Sequence, residues 1–302
     1  MILAVFLLNA LIGGTNPAFV KAALAEFPPI TLVFLRSLLA ALVTLPLIYS
    51  QWSKIKTFSD KKLLFISSLL FAGNWLFFSI GLQFSTIIMS QIIYMMTPLI
   101  VAILGYFFLK EILSKNQILG LILAILGMSI LIYGSIKSQD IFSFGTPLGN
   151  FILIIAKICW ALYLVTSRKV SKSYSPLTIL FFNFITATLV ALLIIPFELS
   201  IRQFDLTNVS ATGLFSLLAL ALISSVLVFF LYQWLIKHTS AFIPSLLSYP
   251  VALVAGIIGI IFFGEKLTVN LILGGALIML GVFLATTYQY AKKLMSNIWT
   301  YQ

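Results

Sequence analysis

The sequence predicts an all-α membrane protein, with ten transmembrane helices arranged as two inverted five-helix repeats. Three observations carry that expectation. Of 302 residues, 62% are apolar and only 8% are charged, against about 45–50% and about 25% in soluble domains. That much apolar surface cannot be hidden in one water-facing core. Ten runs of bilayer-crossing length follow one another along the chain, and its second half echoes its first.

A crossing helix needs roughly 20 mostly apolar residues to span roughly 30 Å of hydrocarbon. Such runs fall at 3–24, 29–49, 62–82, 86–108 and 115–134, then at 147–167, 175–197, 211–235, 240–263 and 268–288. Barrel strands would alternate apolar and polar residues over about ten positions, and the stretch from Ile118 to Ile132 does not alternate. The first run is expected to stay in the mature protein. It has no basic segment before it, and Asn9, Asn16, Pro17 and Lys21 interrupt the plain apolar stretch that a signal peptide requires.

Eighteen Lys and Arg against seven Asp and Glu give a net charge of +11. In a soluble protein this excess would suggest nucleic acid. Here it is read as loops facing anionic lipid, with no nucleic-acid partner. With the N-terminus inside, twelve Lys and Arg fall in cytoplasmic segments and four in segments on the other side. The chain is therefore expected in the cytoplasmic (inner) membrane with both termini cytoplasmic. Cys159 is the single cysteine and His238 the single histidine, so neither a disulfide nor a metal cluster is expected, and no cofactor.

The two halves share the spacing E-x8-G-x6-G, as Glu111, Gly120, Gly127 and as Glu265, Gly274, Gly281, at an offset of 154. Earlier in each half an offset of 147 pairs Lys21 with Arg168, Pro29 with Pro176 and Arg36 with Asn183. Residues 1–136 and 143–302 are thus expected to form two copies within one transport unit. Five helices is an odd number, so the second copy enters the membrane from the opposite side. Inverted repeats of this kind are common in secondary transporters, which bind substrate near the midplane where the repeats meet.

Gly13-Gly14-Thr15-Asn16 ahead of Lys21, Arg36 in the second run, the stretch from Pro98 to Glu111 followed by Gly120 and Gly127, and Gly264-Glu265-Lys266 in the second copy appear in a recurring order. On these residues the chain resembles the EamA-type members of the drug/metabolite transporter superfamily, built from two EamA domains of five helices each. The first run lacks the usual Trp before Gly14, and the second copy spaces its Pro and Glu two residues wider. The resemblance implies a transporter of small metabolites, often an amino acid exporter, with a central pathway.

Lys157 sits in the middle of its run, where a charge costs about 2.5–3.5 kcal/mol on insertion scales. All seven acidic residues fall in loops or at run ends. Three readings follow for Lys157: it meets an anionic group of the substrate, it is neutral at rest, or it snorkels to water. Helical spacing puts Asn150, Lys157 and Trp160 on one face, which sets a cation beside an aromatic plate. Asn9, Gly13 and Asn16 share a stripe of the first run; Asn16 and Asn74 are read evenly as pathway or packing residues. Pro98 and Pro250 remove backbone hydrogen bonds and mark hinges near a cavity. The turns before them carry Gln91, Tyr94 and Met95 in one half and Ser245, Ser248 and Tyr249 in the other. With Trp75 and Tyr232 they yield an aromatic, mildly polar lining. Arg36 is read as a gating or structural residue. The ladder of Gly120, Ala124 and Gly127, echoed by Gly274 and Gly281, suits close helix packing; a neighbour in the same chain and a homodimer are both open.

These features together predict a secondary transporter of a small amphipathic metabolite, an amino acid or related carboxylate, by alternating access. Lys157 would meet the carboxylate, Trp160, Trp75, Tyr94, Tyr232 and Tyr249 would supply apolar walls, and Asn16, Asn74 and Gln91 would orient polar groups. Export is implied by the resemblance alone. Without a midplane carboxylate, proton coupling needs Lys157 or another carrier, so exchange against a counter-substrate stands beside it. The alternatives are a carrier of another metabolite or an organic cation, a channel, and a membrane-embedded transferase. The transferase would require paired carboxylates, a metal or an activated nucleophile at one depth, and the sequence offers none.

Overall fold

A computed structural model describes residues 2–49, 61–109, 115–138, 141–239 and 242–299, and every one of the ten apolar runs is helical in it. The first run forms α1 (Ile2–Gly13) and α2 (Asn16–Ala23), followed by α3 (Pro29–Tyr49) and α4 (Lys61–Gln83). The fourth run forms α5 (Ile87–Met95) and α6 (Thr97–Leu109), and the fifth forms α7 (Lys115–Ser138). A short α8 (Ile141–Phe144) leads into α9 (Pro147–Val170) and α10 (Pro176–Ile201). The eighth run is α11 (Ala211–Leu218), a π-helical stretch over Ala219–Val228, and α12 (Phe229–His238). The chain ends with α13 (Phe242–Ser245), α14 (Ser248–Phe263) and α15 (Val269–Trp299).

Among the described residues, seven helical stretches are long and apolar enough to cross a membrane, and three shorter apolar helices, Ile87–Val101, Ile118–Gly134 and Val269–Leu284, accompany them. Their outward side chains are large and apolar: Leu193 is 82% exposed and Phe262 76%. Such a surface is stable in hydrocarbon and not in water, so this is a multi-pass membrane protein.

In hydrocarbon an unsatisfied backbone group costs several kcal/mol, and the few charges are spent accordingly. Glu198 accepts hydrogen bonds from Ile30 N and Thr31 N, both 2.8 Å, at the start of α3. Glu265 accepts from Ile87 N at 2.6 Å and Ile88 N at 2.8 Å at the start of α5. Glu26 accepts from Ser210 N and Oγ, both 2.6 Å, ahead of α11. Asp205 accepts from Thr207 N at 2.9 Å in the short 3₁₀ turn Leu206–Asn208. Each carboxylate thus meets free N–H groups at the positive end of a helical dipole. Glu265 thus caps a helix remote in sequence, and although Lys266 follows it, the cation whose charge it feels is Lys21. Glu111 lies outside the described residues.

Helix C-termini are served by cations. Lys21 Nζ donates to Leu82 O at 2.9 Å and to Ser85 O, beyond the end of α4. Arg168 donates through Nη1 to Ile236 O at 2.7 Å and Lys237 O at 2.9 Å, at the end of α12. Lys21 and Arg168 are the residues that the sequence paired across its halves, and each closes the C-terminal end of the helix two runs further on.

The glycine ladder packs within the chain. α7 and α15 lie so close that a Cβ on Gly127 would sit 2.6 Å from Gly274 O, and one on Gly274 would sit 2.9 Å from Gly127 O. A Cβ on Gly281 would collide with Gly120 O. Only glycine permits that approach of backbones.

Three of the runs are interrupted, each ahead of a proline. In the first, Pro17 has no N–H and its ring would strike the carbonyl of Gly13 four residues back, so α1 ends at Gly13 and Thr15 Oγ1 turns back to Ile12 O at 2.7 Å. In the fourth, the break at Met96 precedes Pro98, and Thr97 Oγ1 takes the Tyr94 carbonyl that Pro98 leaves free, at 2.5 Å. In the ninth, the break at Leu246–Leu247 precedes Pro250, with Tyr249 N bonding to Leu246 O at 3.2 Å. The eighth run contains the π stretch, where Ser225 Oγ bonds to Leu220 O at 2.7 Å, five residues back.

Candidate functional site

The breaks converge on a cavity inside the helix bundle, with about 120 Å³ of space for the centres of water-sized molecules. A single water requires about 10–15 Å³ on that measure. The cavity therefore suits a small organic molecule.

Lys157, from the middle of α9, is 1% exposed. Its Nζ lies 4.0 Å from the centroid of the Tyr94 ring, a cation–π contact. Among the described residues no protein acceptor hydrogen-bonds this ammonium. Sequence periodicity pointed to Trp160 as the aromatic plate. Trp160 is in the cavity wall but packs on Tyr163 and Tyr232, with ring centroids at 5.2 Å in both pairs. Asn150, assigned to the same face, lies away from the cavity, accepting from Ser85 Oγ at 2.6 Å and donating to Phe144 O at 2.9 Å. A helical face fixes which residues leave a helix together, not which neighbour they meet.

Arg36 enters from α3 and is 3% exposed. Its Nε donates to Ser225 Oγ at 2.8 Å and its Nη2 to Asn16 Oδ1 at 2.9 Å. Its Cζ lies 3.9 Å from the centroid of the Trp75 ring. The break at Gly14–Thr15 brings Asn16 to this position. The π stretch brings Ser225 to it, and gives the Val228 carbonyl to Asn9 Nδ2 at 2.6 Å. Asn74 ties the two cation sites together. It donates to Tyr94 OH at 2.7 Å and to Ala156 O at 2.8 Å, and Trp75 follows it in sequence.

Eight of the nine proposed binding residues line this cavity: Lys157, Trp160, Asn16, Asn74, Trp75, Gln91, Tyr94 and Tyr232. Tyr249 does not. Its neighbours Ser248 and Val251 face the cavity, and at about 100° per residue Tyr249 is turned away, packed on the core with its hydroxyl buried. Pro98 and Pro250 stand behind the wall, which is formed beside them by Thr97 and Val251. Arg36, assigned to gating, is itself a lining residue. Sequence reasoning passed over Phe229 and the Arg36 partner Ser225; the Ser224–Ser225 pair inside an apolar run was the available signal. None of the four described carboxylates lines the cavity, and among the described residues no group of three or more His, Cys, Asp or Glu could hold a metal.

Adjoining the cavity, Tyr163 OH accepts from Asn183 Nδ2 at 2.7 Å and from Gln233 Nε2, while Ser68 Oγ donates to Asn183 Oδ1 at 2.9 Å. This buried network joins α4, α9, α10 and α12.

Among known proteins, the chain is 29% identical to the uncharacterized transporter YyaM of Bacillus subtilis over 72% of its length and 70% of that protein's. It is 25% identical to a probable amino-acid metabolite efflux pump of Salmonella typhimurium over 92% of both chains. An uncharacterized transporter of Archaeoglobus fulgidus is 24% identical over 94% of this chain and 96% of that one. One crystal structure shares the fold with a TM-score of 0.66 and 18% identity, covering 96% of this chain and 97% of the other. The model of the EamA-like transporter family matches residues 1–133 and 147–287. With a membrane fold and a central cavity in the same chain, that match over both halves places the protein in the EamA-like transporter family.

Proposed function

We propose that the protein is a secondary transporter of the cytoplasmic membrane that moves a small carboxylate-bearing metabolite, an amino acid or related compound, by alternating access. The observation that carries this reading is Lys157, a buried basic side chain in the cavity wall held over Tyr94 with no carboxylate beside it among the described residues. A buried charge without a counter-ion is costly, and an anionic ligand removes the cost. Trp160, Trp75 and Tyr232 supply apolar walls for the rest of the molecule, and Asn16, Asn74 and Gln91 the polar contacts. Export is the direction named for the Salmonella relative.

Ten crossings as two inverted five-helix repeats, 1–136 and 143–302, accord with the family match over two segments, with the paired roles of Lys21 and Arg168, and with breaks ahead of both Pro98 and Pro250. Rocking of one half on the other, with hinges at those breaks, would open the cavity to each face in turn. The excess of basic residues in alternate loops supports cytoplasmic termini at both ends.

The test is a thermal-shift comparison of purified protein with butyrate against butyramide and glutarate against glutaramide, since a ligand of the folded state raises its melting temperature. Stabilisation by the carboxylates alone, abolished in Lys157→Ala, is the expected result. Equal shifts with carboxylate and amide, or shifts unchanged in Lys157→Ala, would overturn the charge-pairing role.

A further inference from the structure

The cavity contains two cations. Arg36 and Lys157 reach it from different helices, are almost fully buried, and lie against different rings, Trp75 and Tyr94. A guanidinium has five N–H donors, and Ser225 and Asn16 occupy two of them. The other three have no protein acceptor among the described residues. The four described carboxylates are engaged at helix or turn N-termini, so none of them pairs with either group. A zwitterionic amino acid with an apolar side chain would answer one of them. Its ammonium would meet a wall without a carboxylate, where the Tyr94 and Trp75 faces already carry cations. A molecule with an anionic group at each end answers both.

We propose that Arg36 is a second anion subsite and that the substrate is a short organic dianion of the dicarboxylate type. One carboxylate meets Lys157, the other meets the free N–H donors of Arg36, and the carbon chain lies against Trp160 and Phe229. This rests on the reading of Lys157 given above. Arg suits the second subsite because its planar fork pairs two donors with the two oxygens of one carboxylate. Ser225 and Asn16 hold the guanidinium by one edge and leave the other to the ligand.

Calorimetric titration of the purified full chain with succinate, glutarate and adipate, each beside its half amide, tests the subsite on the wild type. The half amide keeps the shape and loses one charge. At least one dicarboxylate is expected to bind about 10-fold or more tighter than its half amide, the range of a charge-assisted hydrogen bond. Arg36→Gln should erase that ratio while leaving the half amide's affinity in place; Lys157→Ala should weaken both. Dicarboxylates that bind no tighter than their half amides would overturn the Arg36 subsite, and the Lys157 reading would survive if Lys157→Ala still weakened binding. No effect of Lys157→Ala on either ligand would overturn both. Glycerol 3-phosphate carries both charges at one end, and tighter binding of it than of every dicarboxylate would overturn the two-ended arrangement. The wild-type comparison stands even where Arg36→Gln fails to fold.

Discussion

Among the described residues, four basic side chains buried wholly or partly in the bundle fall into two pairs with opposite kinds of partner. Lys21 and Arg168, at helix ends, spend their donors on backbone carbonyls of α4 and α12. Lys157 and Arg36, at the cavity, lie on aromatic faces, and among the described residues their donors are free or half-used. A cation with carbonyl partners holds a helix end closed. On the proposed reading, a cation kept on a ring with no carboxylate beside it among the described residues serves an anion that arrives from outside. The pair with fewer polar partners is also the more deeply buried, so burial alone does not dictate the partners.

Substitutions separate the two pairs. The largest effect is expected at Lys157. Lys157→Met should cost at least about 10-fold in affinity for a carboxylate ligand and, without ligand, should melt at or above the wild-type temperature, because an unpaired buried charge is exchanged for an apolar side chain. Arg168→Ala should do the reverse, lowering stability by about 2 kcal/mol through two lost charge-assisted hydrogen bonds while ligand affinity stays within twofold; thermal unfolding and titration of one sample give both numbers. Lys21→Ala should behave likewise, with a loss of about 1–2 kcal/mol, since it too donates to two backbone carbonyls.

The smallest effect is expected at Glu26. The Ser210 hydroxyl, and then the Ser210 backbone N–H, hold its carboxyl below the ordinary value. With the folded pKa below the unfolded one, its contribution is present above the unfolded carboxylate's pKa and fades as pH falls through the lowered value. Glu26→Gln should therefore lower the melting temperature slightly at neutral pH, with the gap to wild type closing as the solution is made acid.

Which parts of this were legible in the sequence follows from what each depends on. The ten runs depend on length and composition, and all ten are helical. The glycine ladder was visible as a spacing, but its partner required two helices from opposite halves to be seen side by side at Gly127 and Gly274. Lys157 declared itself by depth. Its ring did not, because Tyr94 comes from another helix across a break. Arg36 read as a gate because one sequence cannot show that the break at Gly14–Thr15 and the π stretch at Ala219–Val228 would deliver Asn16 and Ser225 to it. A π turn widens the helix by one residue, and the packing around it decides where that residue goes.

The central claim is that an unneutralised cation at Lys157 captures the carboxylate that the protein carries. Counterflow in proteoliposomes measures it most directly, with unlabelled succinate inside, labelled succinate outside, and wild type beside Lys157→Met. Transient accumulation of label is expected with the wild type and none with a folded Lys157→Met. Accumulation by Lys157→Met at the wild-type rate would contradict it.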